Sequence, residues 1–85
     1  MGAIVAKAHA WVIDSRNRER HAQDLVALAG IALNDPRAVI EQASRDDRKV
    51  LRKAMRTLPP EHRVFRTADD PAAAHALLTR LCEGP

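Results

Sequence analysis

The opening segment limits the fold more than any other part of the chain. From about residue 3 to 14 it is apolar on nearly every side of a helix, with Ile4, Val5, Trp11, Val12 and Ile13 pointing in different directions. Lys7 and His9 are the interruptions. A helix of this kind has to be covered on several sides. It cannot escape into a bilayer, because no run of about 18 apolar residues exists to span one. Nor does it carry the marks of a signal peptide: Arg16, Arg18 and Arg20 follow it, where a signal peptide holds its charge in front, and no clear cleavage site comes after. The expectation is a bundle built around this helix, in a chain that meets no membrane.

The remaining residues supply the covering helices. Ala, Leu, Val and Ile dominate the apolar content, with one Trp, one Phe and no Tyr, so the aromatic residues that suit strands are nearly missing. After a polar break at Ser15-Arg16-Asn17, a second helix is expected over about 18–33, with Ala22, Leu25, Val26, Ala29 and Leu33 on one face and Leu28, Ile31 and Ala32 widening it. Gly30 within it is either a mild cost or a point of close helix contact. Asn34-Asp35-Pro36 ends that helix and starts a short third one to about residue 43, with Asn34 or Asp35 as cap and Pro36 in the first turn. Ser44-Arg45-Asp46-Asp47 resembles a capping box with Asp in place of the usual Glu. It divides the third helix from a fourth running to about residue 57, one continuous helix being the alternative. Leu58-Pro59-Pro60 stops the fourth. Val64 and Phe65 are expected in a short extended piece tucked onto the core. Asp70-Pro71 opens a last helix with Leu77, Leu78 and Leu81 as its buried stripe. The fold class is all-α: one domain over 1–85, a small four- to five-helix bundle around an apolar first helix.

Eighty-five residues make one domain with a thin core. Cys82 is the sole cysteine, which excludes an internal disulfide and a zinc cage, and a reducing, cytoplasmic setting is the natural reading. His9, His21, His62 and His75 lack ligand spacing and read as surface residues rather than a metal site. Ser15, Ser44 and Cys82 have no evident base near them in sequence. Ser44 is better explained as a cap and Cys82 as a small apolar filler. No catalytic residue and no metal ligand is assigned, and the chain is expected to lack enzymatic activity alone.

Two features could carry chemistry. On the fourth helix Arg45, Arg48, Lys49, Arg52, Lys53 and Arg56 share one side, and Val50, Leu51, Ala54, Met55 and Leu58 the other. Six cations on one helical face attract phosphates by counterion release, without regard to base sequence. The net charge of +3 permits a polyanionic partner such as RNA or DNA without requiring one. The plainer explanation is a solvated face that keeps the bundle soluble. The second feature is Lys7, a cation in an apolar helix, which must snorkel, lose its proton or find a carboxylate. Asp24 lies at i, i+4 and i+7 from Leu28 and Ile31 and so looks inward or toward a cleft. An antiparallel hairpin of the first two helices would let the pair meet, either to fix helix register or to line a phosphate or metal site.

The same residues carry a resemblance. Val5-Ala6-Lys7-Ala8-His9-Ala10-Trp11, followed by Arg18-Glu19-Arg20-His21-Ala22-Gln23-Asp24-Leu25, is similar to the C-terminal helical half of the AbiEii/AbiGii-type nucleotidyltransferase toxins. That family has a helix lysine in a Lys-x-x-Ala-Trp-like stretch, an Arg-rich break, and a segment of the form Arg-x-Lys-Asp-x-x-Asp-Leu. Lys7 matches the lysine, Arg20 the basic place and Asp24 the final aspartate, while His21 stands where the family has its first Asp. The likeness covers about residues 3–33. It implies that Lys7 contacts nucleotide phosphate and that Asp24 is the acidic residue beside it. It also implies a sheet domain with a Gly-Ser turn and an Asp-x-Asp pair for magnesium and the triphosphate, which this sequence does not supply: Asp46-Asp47 and Asp69-Asp70 are adjacent rather than alternating. The chain is then a C-terminal piece, a degenerate reading frame, or a helical module beside a separate catalytic chain. Magnesium and a nucleotide enter only with a catalytic domain. The rivals are a stand-alone basic nucleic-acid binder and an interaction module that a partner or a second copy covers, as in a homodimer.

Overall fold

The structure is a computed structural model, and it describes residues 1–83. Five α-helices follow one another: α1 (Gly2–Ile13), α2 (Arg18–Ala32), α3 (Pro36–Gln42), α4 (Arg45–Met55) and α5 (Pro71–Glu83). A 3-10 segment, Arg63–Thr67, lies between α4 and α5. Their boundaries follow local chemistry. Asp35 accepts from the backbone N–H of Ala38 with Pro36 in the first turn of α3, and Asp70 accepts from that of Ala73 at the start of α5. The Ser44 box is complete. Its hydroxyl accepts from the Asp47 N–H at 3.1 Å, and the Asp47 carboxylate accepts from the Ser44 N–H at 3.0 Å, so α3 and α4 are separate helices.

Four helices form a ring in which α1 packs on α2, α2 on α5, α5 on α4 and α4 on α1. The 3-10 segment closes over α2 and α5, and α3 leans on α5. The core fills the ring: Ile4, Ala8 and Trp11 from α1; Ala22, Leu25, Val26 and Ala29 from α2; Leu51 and Ala54 from α4; Ala74, Leu77, Leu78 and Leu81 from α5. Leu58, Val64 and Phe65 cap it. Val64 and Phe65 reach the core from a 3-10 turn, not from the extended piece that their residue types suggest. His62 sets that turn by accepting from the Val64 N–H through Nδ1 at 3.1 Å.

The covering of α1 is narrower than its composition implies. In a ring each helix has two neighbours, so α1 buries one stripe, at positions 4, 8 and 11, and leaves Val12 38% and Ile13 66% exposed. Trp11 anchors it. The indole N–H donates to the Thr57 hydroxyl at 2.8 Å, the Arg18 guanidinium lies 4.4 Å from the ring centroid, and His62 meets the ring edge-on. Arg18 also donates to the Trp11 carbonyl, satisfying an acceptor in the last turn of α1. The connection to α2 is tied by Asp14, which accepts from the N–H groups of Arg16 and Asn17 and faces His21 at 2.9 Å.

Candidate functional site

Asp46 and Asp47 sit in the first turn of α4 and Arg52 and Lys53 in its last, the arrangement that suits the helix dipole. With Leu51, Ala54 and Leu58 turned into the core, the six cations are left on one outward arc of about 140° at 100° per residue. They are not equivalent. Arg48 donates to the Ala43 carbonyl at 2.8 Å, at the end of α3, and Arg52 to the Cys82 carbonyl at 3.0 Å, near the end of α5. Those two tie α4 to its neighbours. Arg45, Lys49, Lys53 and Arg56 are exposed and form no ion pair among the described residues. Elsewhere Arg63 pairs with Glu19 at 2.7 Å and Arg80 with Glu83 at 3.5 Å.

Lys7 and Asp24 do meet. Nζ lies 2.9 Å from a carboxylate oxygen across the α1–α2 seam, with 35% and 44% of the two side chains exposed. Of the three outcomes open to a cation in an apolar helix, Lys7 takes the carboxylate. Its hydrogen bond holds the Asp24 carboxyl below the ordinary aspartate value. Of the stripe that Asp24 shares with Leu28 and Ile31, Leu28 packs against the core and Asp24 is half-buried, while Ile31 is 67% exposed. A pair this accessible adds little to stability and can exchange partners with solutes, as a buried pair cannot.

The two features are not brought together. On α1, Lys7 flanks the buried stripe on the side of α2, whereas Val12 and His9 flank it toward α4 and, with Ile13, line a groove there. Any ligand touching both the pair and the basic arc has to cross α1. In the two aspartate pairs, Asp47 and Asp70 each accept a backbone N–H at the start of a helix.

Several residues act in ways that their sequence did not suggest. Three of the four histidines are part of the packing: His62 against Trp11, His75 edge-on to Phe65, and His21 against Asp14, with only His9 exposed. The Asp14 carboxyl is held low, first by His21 and then by its two backbone N–H donors. Cys82 is half-buried and donates to the Leu78 carbonyl, and burial pushes its thiol up. A cleft of about 490 Å³ between α2 and the turn before α5 runs past Ile31, Asp69 and Asp70. It reaches neither the basic arc nor the Lys7–Asp24 pair. Compared with known proteins, the chain matches no family model, no curated protein and no solved structure.

Proposed function

We propose that this chain is the helical C-terminal module of a nucleotidyltransferase-like toxin, inactive by itself, whose Lys7 and Asp24 contribute to a site completed by a catalytic domain. The observation carrying this reading is the pair itself. The two residues singled out by the resemblance lie 2.9 Å apart on an accessible seam, where Lys7 can leave Asp24 for a phosphate. The coding sequence upstream of Met1 is the direct test. An in-frame Gly-Ser and Asp-x-Asp within about 150 residues, one domain's length, support it. Their absence there and from the neighbouring gene removes it. In the joined protein, Lys7→Met lowers nucleotide transfer and leaves the fold intact.

A second reading rests on α4. Four cations that form no ion pair among the described residues, on one exposed arc, suit a stand-alone binder of RNA or DNA that reads phosphates rather than bases. Replacing Arg45, Lys49 and Lys53 together by Gln abolishes binding if the arc is the interface. Binding that survives reduces the arc to a solvated face. In the toxin reading the same arc faces the nucleic-acid substrate, so the two share an interface and differ in whether a catalytic domain accompanies it.

A further inference from the structure

The groove between α1 and α4 has a property that phosphate binding does not use. Its walls are apolar where the helices meet, with Val12 and Ile13 from α1 and Val50 from α4. Lys49 and Lys53 stand along one edge, one helical turn apart. Among the described residues Asp46 is the one carboxylate lining it, at the end where α4 begins. The groove holds about 290 Å³, at or below the small end of ligand pockets (about 300–1,000 Å³), which suits one or two side chains better than a cofactor. A nucleic-acid backbone brings nothing apolar to meet Val12 and Ile13, and those two are the largest apolar exposure on this side of α1.

We infer that this groove docks an acidic amphipathic helix of a partner protein. The apolar floor takes two side chains at i and i+4, and carboxylates at the same spacing on the adjoining face meet Lys49 and Lys53. The spacing follows from the groove itself. Asp46 to Lys53 covers seven residues, a rise of about 10 Å, or two turns of a helix laid alongside. Charge selects the partner's sign: Lys49 and Lys53 have no carboxylate partner among the described residues, Arg45 and Arg56 stand on the same arc, and the whole chain carries +3. Apolar burial supplies affinity, and the lysines set orientation and association rate. The inference stands apart from the nucleotidyltransferase reading. It shares Lys49 and Lys53 with the nucleic-acid reading, so an occupied groove and a bound phosphate backbone exclude one another.

The test uses a fluorescent synthetic helix of about 16 residues, long enough to form alone, with Leu and Glu each repeated at i, i+4 on adjoining faces. A second peptide replaces every Leu by Ser. Anisotropy at roughly physiological salt is expected to show binding of the first and not the second. Val12→Ser with Ile13→Ser weakens it by about tenfold or more, and Lys49→Gln with Lys53→Gln weakens it by about tenfold and flattens its salt dependence. All four residues are at the surface, and circular dichroism confirms that the variants fold. Equal binding of the Ser peptide, no binding of the Leu peptide, or indifference to V12S/I13S overturns the inference. So does a concentration-dependent dimer that V12S/I13S dissolves, since a second copy is then the occupant. Because V12S/I13S removes no cation, duplex DNA binding by that variant reports on the phosphate face separately.

Discussion

α1 and α2 are neighbours in sequence and in space, and both are rich in Ala, yet they use their apolar residues differently. α1 is the more apolar, with only Lys7 charged between Gly2 and Ile13, but it buries three residues: Ile4, Ala8 and Trp11. α2 has charged residues at both ends of its first two turns, but it buries four and touches α1, α5 and the 3-10 segment. Burial here follows the number of neighbours, not the average hydropathy of a helix. The surplus on α1 is what the groove beside α4 exposes. The shortfall on α2 is made up by a narrow stripe with alanines at 22 and 29 that lets other helices approach.

Substitutions sharpen this contrast in order of size. Trp11→Ala removes the largest contact of α1, the indole N–H that the Thr57 hydroxyl accepts and the ring beside Arg18, and about 3–5 kcal/mol of stability is expected to be lost in denaturant titration. Leu25→Ala, in the fully buried stripe of α2, is expected to cost about 2–5 kcal/mol. Gly30→Ala goes the other way. A Cβ there meets nothing within 4 Å, so the gain in helix propensity, about 0.5–1 kcal/mol, is realised as a higher midpoint. Ile13→Ser, despite removing a large apolar side chain, changes stability by no more than about 0.5 kcal/mol, because Ile13 is already in water. A large loss with I13S and a small one with L25A would reverse the comparison.

Acid acts on both sides of the α1–α2 junction. The Asp14 and Asp24 carboxyls are held below the ordinary value when folded, so their contribution is present above the unfolded aspartate value, about pH 4, and is lost as pH falls through the folded values. Thermal melts from pH 6 downward are expected to fall below about pH 4, and less steeply in Asp14→Asn and Asp24→Asn.

What could be read from the sequence was local. Pro36, Pro59 and Pro71, and the Ser44–Asp47 box, act within a few residues, so the breaks between helices were legible along with the all-helical class. The approach of Lys7 to Asp24 was legible because a hairpin of two helices brings only a few positions opposite each other. The rest depended on distant partners. Thr57 is 46 residues from the indole it accepts from, and the residue that sets the 3-10 turn at Val64 is His62, which is not among the usual capping residues. Nor does a helical wheel say which side of α1 receives α4, and that choice leaves Val12 and Ile13 outside. The division of the six cations, two tied to carbonyls and four without an ion pair among the described residues, follows from where α3 and α5 end.

Binding of the purified chain to labelled tRNA and to duplex DNA across a salt series tests the functional account most directly. A phosphate-binding arc gives affinity at low salt that falls steeply as salt rises, disappears when Arg45, Lys49 and Lys53 are changed together to Gln, and favours tRNA if the chain is a toxin module. No binding at low salt, or binding that the triple variant retains, would contradict it.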